Sequence, residues 1–145
     1  MDEDLRRKLV ALSRIINETS DKVDEFQGMC FAADSHYPEG QKSLFGPGRE
    51  EYLELLDSFD DINDVVAKMI RGNATPADIE GIRPNIDNYT QNYAGQTLRA
   101  TVKPPNAVTN QVKVLELPEI DFSAVDEYLE SQGRYSTTTG VVFLK

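Results

Sequence analysis

LRRKLVALSRIINETSDKVDEFQGMC, residues 5–30, is the stretch from which the fold follows. Leu5, Leu9, Leu12, Ile16, Thr19, Val23, Phe26 and Cys30 succeed one another in alternating steps of four and three. That rhythm is a heptad seam, with Thr19 as its single polar layer. It predicts a long amphipathic helix from about Asp4 to Ala33. Asp2, Glu3 and Asp4 stand at its positive end and bases follow inside, the order a helix dipole favours. Such a seam packs against another part of the same chain or against another chain.

A second helix is predicted over REEYLELLDSFDDINDVVAKMIRG, where Tyr52, Leu55, Phe59, Ile62, Val66 and Met69 keep the same rhythm. Gly72 suits its left-handed end, and Lys68 and Arg71 lie in its last turn. A third begins at TPADIEG. Thr75 is the expected N-cap, Pro76 fits the first helical position, and Asp78 makes a partial capping box. Ile79, Ile82, Ile86, Tyr89 and Tyr93 form its apolar face. Pro84 removes a helix hydrogen bond, so a kink or a fresh helix start is expected there, with the helix ending near Arg99.

Between the first two helices, DSHYPEGQKSLFGPG reads as a long loop whose prolines and glycines forbid regular structure. Its Tyr37, Leu44 and Phe45 either tuck onto the bundle or face a partner. After the third helix, TVKPPNAVTNQ reads as a linker and QVKVLEL as a strand. IDFSAVDEYLESQG reads as a short helix with Ser123 as N-cap. RYSTTTGVVFLK is rich in β-branched residues, so a second strand pairing with VKVLEL is expected. The fold class is therefore mainly α: a three-helix antiparallel bundle, or coiled-coil-like helices, with a small C-terminal α/β or extended element. Residues 1–100 form the helical region. Residues 101–145 form a linker and a small segment expected to dock on it.

The chain has 145 residues and is 39% hydrophobic, enough for a core of its own. One cysteine permits no internal disulfide. The charged start MDEDLRRKL lacks the apolar run of a secretory signal. A cytoplasmic or other reducing intracellular compartment is the expectation. Asn17, Asn73 and Asn88 each head an Asn-x-Thr triplet. Two of them fall inside predicted helices, and no export route accompanies them, so glycosylation is not expected.

Chemistry is sparse. Cys30 and His36, with Asp34 between them, are the only material for a thiol nucleophile, and no third group is placed to orient the base. One Cys and one His cannot close a zinc shell. No glycine pattern signals a phosphate cradle. No enzymatic activity, cofactor or metal is expected.

The net charge of −10 disfavours nucleic acid as a direct partner, and no apolar stretch is long enough for a membrane span. Seven acids against three bases over residues 49–72 carry the largest share of that charge. Glu50, Glu54, Asp57, Asp61 and Asp64 form a row on the outer face of the second helix. Such a row is either a solvated face or a strip for a basic partner. Arg6, Arg7, Lys8 and Arg14 cluster on the first helix and suit an acidic surface.

The expected function is a helical protein–protein interaction or assembly subunit, whose partner is another protein or a second copy of the chain. Its contact residues are expected on the first helix, at Leu5, Leu9, Leu12, Ile16, Val23 and Phe26, and in the C-terminal segment, at Phe122 and Tyr128. The alternative is an acidic decoy whose row at Glu50, Glu54, Asp57, Asp61 and Asp64 occupies a basic nucleic-acid-binding groove.

Overall fold

A computed structural model of the protein describes residues 2–33, 49–102, 108–109 and 111–132. Six elements follow in order: α1 (Glu3–Ala33), α2 (Arg49–Ile70), α3 (Pro76–Asn92), β1 (Thr97–Val102), β2 (Gln111–Glu116) and α4 (Ser123–Ser131). The architecture is mainly helical with one small antiparallel sheet.

The first three helices run up, down and up. At one end of the α1–α2 pair, Arg6 Nη2 donates to the Ile70 carbonyl at 3.1 Å. At the other, the Phe26 and Tyr52 rings meet edge-on at 6.0 Å. Those contacts sit at opposite ends of both helices, so the pair is antiparallel. α3 turns back along α2, bringing Tyr89 to 5.2 Å from Phe59 and Asp78 to 3.6 Å from Lys68. α4 closes the bundle beside α1 and α3, where Glu127 meets Lys8 at 3.0 Å and Asp126 meets Arg83 at 2.7 Å.

Local chemistry sets the helix ends. The Asp2 carbonyl accepts from Arg6 N–H, and its carboxylate accepts from Asp4 N–H, which satisfies donors that an uncapped helix leaves open. At the end of α2, Gly72 takes φ +79°. Its N–H bonds the Met69 carbonyl while Asn73 N–H bonds that of Lys68. That pair of bonds is a Schellman motif, which glycine enters without steric cost. The capping box of α3 is complete: Thr75 Oγ1 accepts from Asp78 N–H at 3.1 Å, and Asp78 accepts from Thr75 N–H at 2.9 Å.

Four expectations are corrected. Of the two expectations at Pro84, the fresh helix start is overturned, since α3 is one helix through Asn92. The proline ring is exposed, so the Glu80 carbonyl that loses a donor lies on the water-facing side. Ile79, Ile82 and Tyr89 hold both halves against the core, which offsets the roughly 3 kcal/mol an internal proline costs. The helix stops at Asn92, short of Arg99, because Gly95 turns the chain at φ +81°. Next, β2 pairs with β1, in residues read from sequence as helix end and linker. The register sets Leu98 against Leu115 and Val102 against Gln111. RYSTTTGVVFLK lies outside the described residues, as does the loop with Tyr37, Leu44 and Phe45. Finally, the N-cap of α4 is Phe122. The Asp121 carboxylate accepts the Ser123 N–H at 2.9 Å, so the acid two residues earlier does the work assigned to Ser123.

The start of the hairpin explains the change of structure after α3. Gly95 N–H bonds the Leu117 carbonyl, and Leu117 N–H bonds that of Gln96. Two residues thus oppose one, with a left-handed glycine in first place: a G1 β-bulge. The bulge launches β1 directly from the helix end. A Cβ at Gly95 would also lie 3.4 Å from Glu119 Oε2.

These glycines predict opposite effects. Gly81 sits in α3 with open space where a Cβ would go, so Gly81→Ala is expected to stabilise the fold by up to about 1 kcal/mol. Gly95→Ala is expected to destabilise it by about 1–2 kcal/mol through left-handed strain. Urea denaturation of the two variants checks the signs.

Candidate interaction surfaces

The apolar seam of α1 goes inward. Leu5, Leu9, Leu12, Ile16, Val23 and Phe26 are buried in one cluster with Leu55, Phe59 and Ile62 of α2, Ile79 of α3 and Val125 and Tyr128 of α4. Leu12 keeps only 4% of its surface. These side chains were expected to meet a partner, and the single chain already covers them. Thr19, the polar layer, is buried yet satisfied: its hydroxyl donates to the Ile15 carbonyl at 2.7 Å. That backward bond lets a threonine occupy a helix core position. Beside the seam, Ser13 Oγ donates to Asn63 Oδ1 at 2.8 Å, and Asn63 Nδ2 donates to Asn17 Oδ1 at 3.2 Å. This amide bridge fixes the register of α1 on α2. Of the C-terminal residues expected at a contact, Tyr128 is buried and Phe122 is half-buried against the core.

The acidic row takes the outward face. Glu54, Asp57, Asp61 and Asp64 are exposed, and among the described residues none has an ion-pair partner. The Glu50 side chain lies outside those described. The basic cluster of α1 does not meet this row within the molecule. Arg6 bonds the last carbonyl of α2, Arg7 pairs with Asp4 at 3.3 Å, and Lys8 pairs with Glu127. Helix geometry separates them: α1 turns its bases toward α4 and toward the end of α2, and α2 keeps its acids on the far side.

A second surface was not foreseen. Two grooves lie along α1. The lower, of about 430 Å³, has Lys8, Ala11, Leu12 and Ile15 on the helix side, and Glu119, Asp121, Ser123 and Ala124 opposite. The upper, of about 320 Å³, has Lys22, Glu25, Phe26 and Met29 on the helix side, and Val114, Leu115 and Glu116 of β2 opposite. β2 is also where exposed apolar side chains come as a neighbouring pair, Val112 at 63% and Val114 at 46%. Leu115 points the other way, into the core. The alternation of QVKVLEL signalled a strand. The face that would be buried depended on where its partner strand lay, which the alternation does not give.

The linker between β2 and α4 is pinned from behind. Tyr89 is buried, and its hydroxyl donates to the Pro118 carbonyl. Burial pushes the phenol above its ordinary range, so it stays protonated and able to donate. Asp121 and Asp78 are shifted the other way. The Ser123 N–H holds the Asp121 carboxyl below the usual range, and the Thr75 N–H does the same for Asp78. Among the described residues no group of three His, Cys, Asp or Glu side chains converges as a metal site. Cys30 has no described side chain, and His36 and Asp34 lie outside the described residues. No helix among the described residues is long and apolar enough to cross a membrane.

Two outcomes follow. Leu12→Glu places a carboxylate in the core, so it is expected to unfold the chain, with loss of helical circular dichroism, before any partner is added. Asp78 and Asp121 have folded pKa values below the unfolded value of 3.8. Their contribution is complete above that value and is lost as pH falls through the lower folded values. The Asp78→Asn/Asp121→Asn double variant should therefore show a shallower loss of stability below pH ~4 than the parent, read as urea midpoint against pH.

A scan against protein-family models finds no match for this chain, and searches of curated proteins and of solved structures find none either.

Proposed function

We propose that the protein acts by binding another protein, as a non-enzymatic interaction or assembly subunit, and that it does so with its outer helical surface while the heptad seam stays closed. The observation that carries this reading is the row of Glu54, Asp57, Asp61 and Asp64, exposed and unpaired among the described residues on the face of α2 turned away from the core. The partner surface it suits is basic. The four carboxylates span ten residues of helix, about 15 Å. Fixed at this spacing on a rigid helix, they present charge without a further ordering cost. A reducing intracellular compartment fits a chain with one cysteine.

The decoy reading is weaker on charge density. The row places one charge about every 5 Å of helix axis, whereas duplex DNA carries one about every 1.7 Å. A groove built for nucleic acid would find the row thin. A lysine- or arginine-bearing protein surface requires no such density.

The test is a co-purification from cells with the full chain as bait, against a Glu54→Gln/Asp57→Asn/Asp61→Asn/Asp64→Asn variant. Partners held by the row should be lost from the variant, and should elute from the parent as salt rises from about 0.1 M to 1 M, where the screening length falls from about 10 Å to 3 Å. An unchanged, salt-insensitive partner set would reject the reading. Recovery of only nucleic-acid enzymes, released by added DNA, would favour the decoy.

A further inference from the structure

β2 is one edge of a two-stranded sheet, and its backbone is arranged to take another strand. Leu117 N–H bonds the Gln96 carbonyl, and the β1–β2 register runs unbroken from Thr97↔Glu116 to Val102↔Gln111. In an antiparallel ladder, alternate residues turn their N–H and C=O toward the partner strand. Gln111, Lys113 and Leu115 therefore bond toward β1, while Val112, Val114 and Glu116 turn their backbone groups outward. Among the described residues no hydrogen bond reaches those outward groups, because β1 stands on the other side.

The side chains of the same three residues stand on the outer face of the sheet. Val112 and Val114 are exposed there, whereas Leu115 on the inner face is buried. The upper groove runs beside this edge. Val114, Leu115 and Glu116 form its strand side, Lys22 and Glu25 are among its α1 residues, and no β1 residue lines it.

We propose that a second copy of the chain covers this edge, with β2 paired antiparallel to its own copy about a two-fold axis at Val114, so that two hairpins form one four-stranded sheet. The positions of the outward groups single out this occupant and this register. Outward groups meet outward groups only when even-numbered residues face even-numbered ones. With Val114 across from its copy, Val112 faces Glu116 of the second copy and Glu116 faces Val112. All three outward residues are then paired, which makes about six hydrogen bonds, two for each bonded pair. A slip that centres the axis on Lys113 leaves Glu116 without a partner inside β2 and sets the lysine against its own copy, a like-charge pair. A slip that centres it on Leu115 sets Val112 against Pro118, which has no N–H to donate. A strand that pairs fully with itself in one register suits a closed two-fold dimer.

The inner face agrees in charge. In this register Lys113 of the second copy stands across from Leu115, at the wall of the upper groove. There Glu25 and Glu116 offer two carboxylates against the one ammonium of Lys22. Among the described residues Lys113 has no acid within its own chain to pair with. An inward-pointing lysine ordinarily blunts an edge strand, and here the groove supplies the opposite charge. The pairing also relieves the weakness of the hairpin, since two strands are marginal in water and a wider sheet on a helical face is not. This inference rests on β2 and is independent of the acidic row on α2.

Light scattering on the full chain across a concentration series tests it, with two single variants. Val114 is exposed, so Val114→Lys and Val114→Glu are expected to keep the helical circular dichroism of the parent. The parent should reach twice 16.3 kDa. Each variant alone sets like charges across the axis and should dimerise more weakly by about tenfold or more. An equimolar mixture of the two sets opposite charges across the axis and should regain the dimer. A parent that stays at 16.3 kDa at every concentration would overturn the proposal. So would variants that dimerise as tightly as the parent, or a mixture that dimerises no better than either variant. Amide hydrogen exchange by NMR on the same samples reads the edge itself. Protection of the Val112, Val114 and Glu116 N–H groups is expected to grow with the dimer mass. Full protection in a monomer would overturn the proposal in favour of cover from within the chain.

Discussion

Leu9, Ile16 and Val23 of α1 are wholly buried, and the other elements join the core by packing on the helix that carries them. α2 lies along its full seam, while β2 and α4 cover its two ends from the other side. Each fully buried aliphatic side chain contributes about 1.5–3 kcal/mol. A row of them on one helix is therefore a large source of stability in the fold. It also restricts where function can lie. A seam spent inside the chain is covered by α2, α3 and α4 and presents no apolar stripe at the surface.

The polar groups near this seam specify the arrangement more than they strengthen it. Thr19 bonds its own helix, so it asks nothing of the neighbouring helices. The Ser13–Asn63–Asn17 bridge allows one register of α2, since a slip of one turn would leave its amides without partners beside the core. Arg6 on the last carbonyl of α2 and Arg83 between Glu80 and Asp126 tie the bundle together near the start of α1. The arginine contacts are exposed or nearly so, and pairs of this kind contribute little individually. Their effect is to exclude alternative packings of three helices that share one rhythm.

The two-stranded sheet is the least self-sufficient element. A lone hairpin is marginal in water, and this one survives because Leu115 and Leu98 rest on the helical core. The G1 bulge at Gly95 and the Tyr89 hydroxyl on the Pro118 carbonyl hold its base. Its outer side carries Val112 and Val114 in the open. An exposed apolar edge of this kind is one that natural sheets usually cover or charge.

Much of the helical scaffold could be read from the sequence, because its determinants are local. The three–four spacing of α1 and α2, the Thr75–Asp78 box and the stop at Gly72 depend on residues a turn apart, and each stands where its spacing placed it. The acidic row was legible for the same reason, since a helix period fixes its face once the seam is known. What the sequence could not decide was pairing at a distance. VKVLEL announces a strand, but either a following or a preceding β-branched run could be its partner. Only the bulge at Gly95 and the burial of Leu115 selected Thr97–Val102. Pro84 likewise reads as a breaker, until Ile79, Ile82 and Tyr89 pack on both sides of it. The seam itself asked for a cover without naming it. The answer, α2 with α3, β2 and α4, exists only in the tertiary structure, because apolar burial is non-directional and any complementary face would have satisfied it.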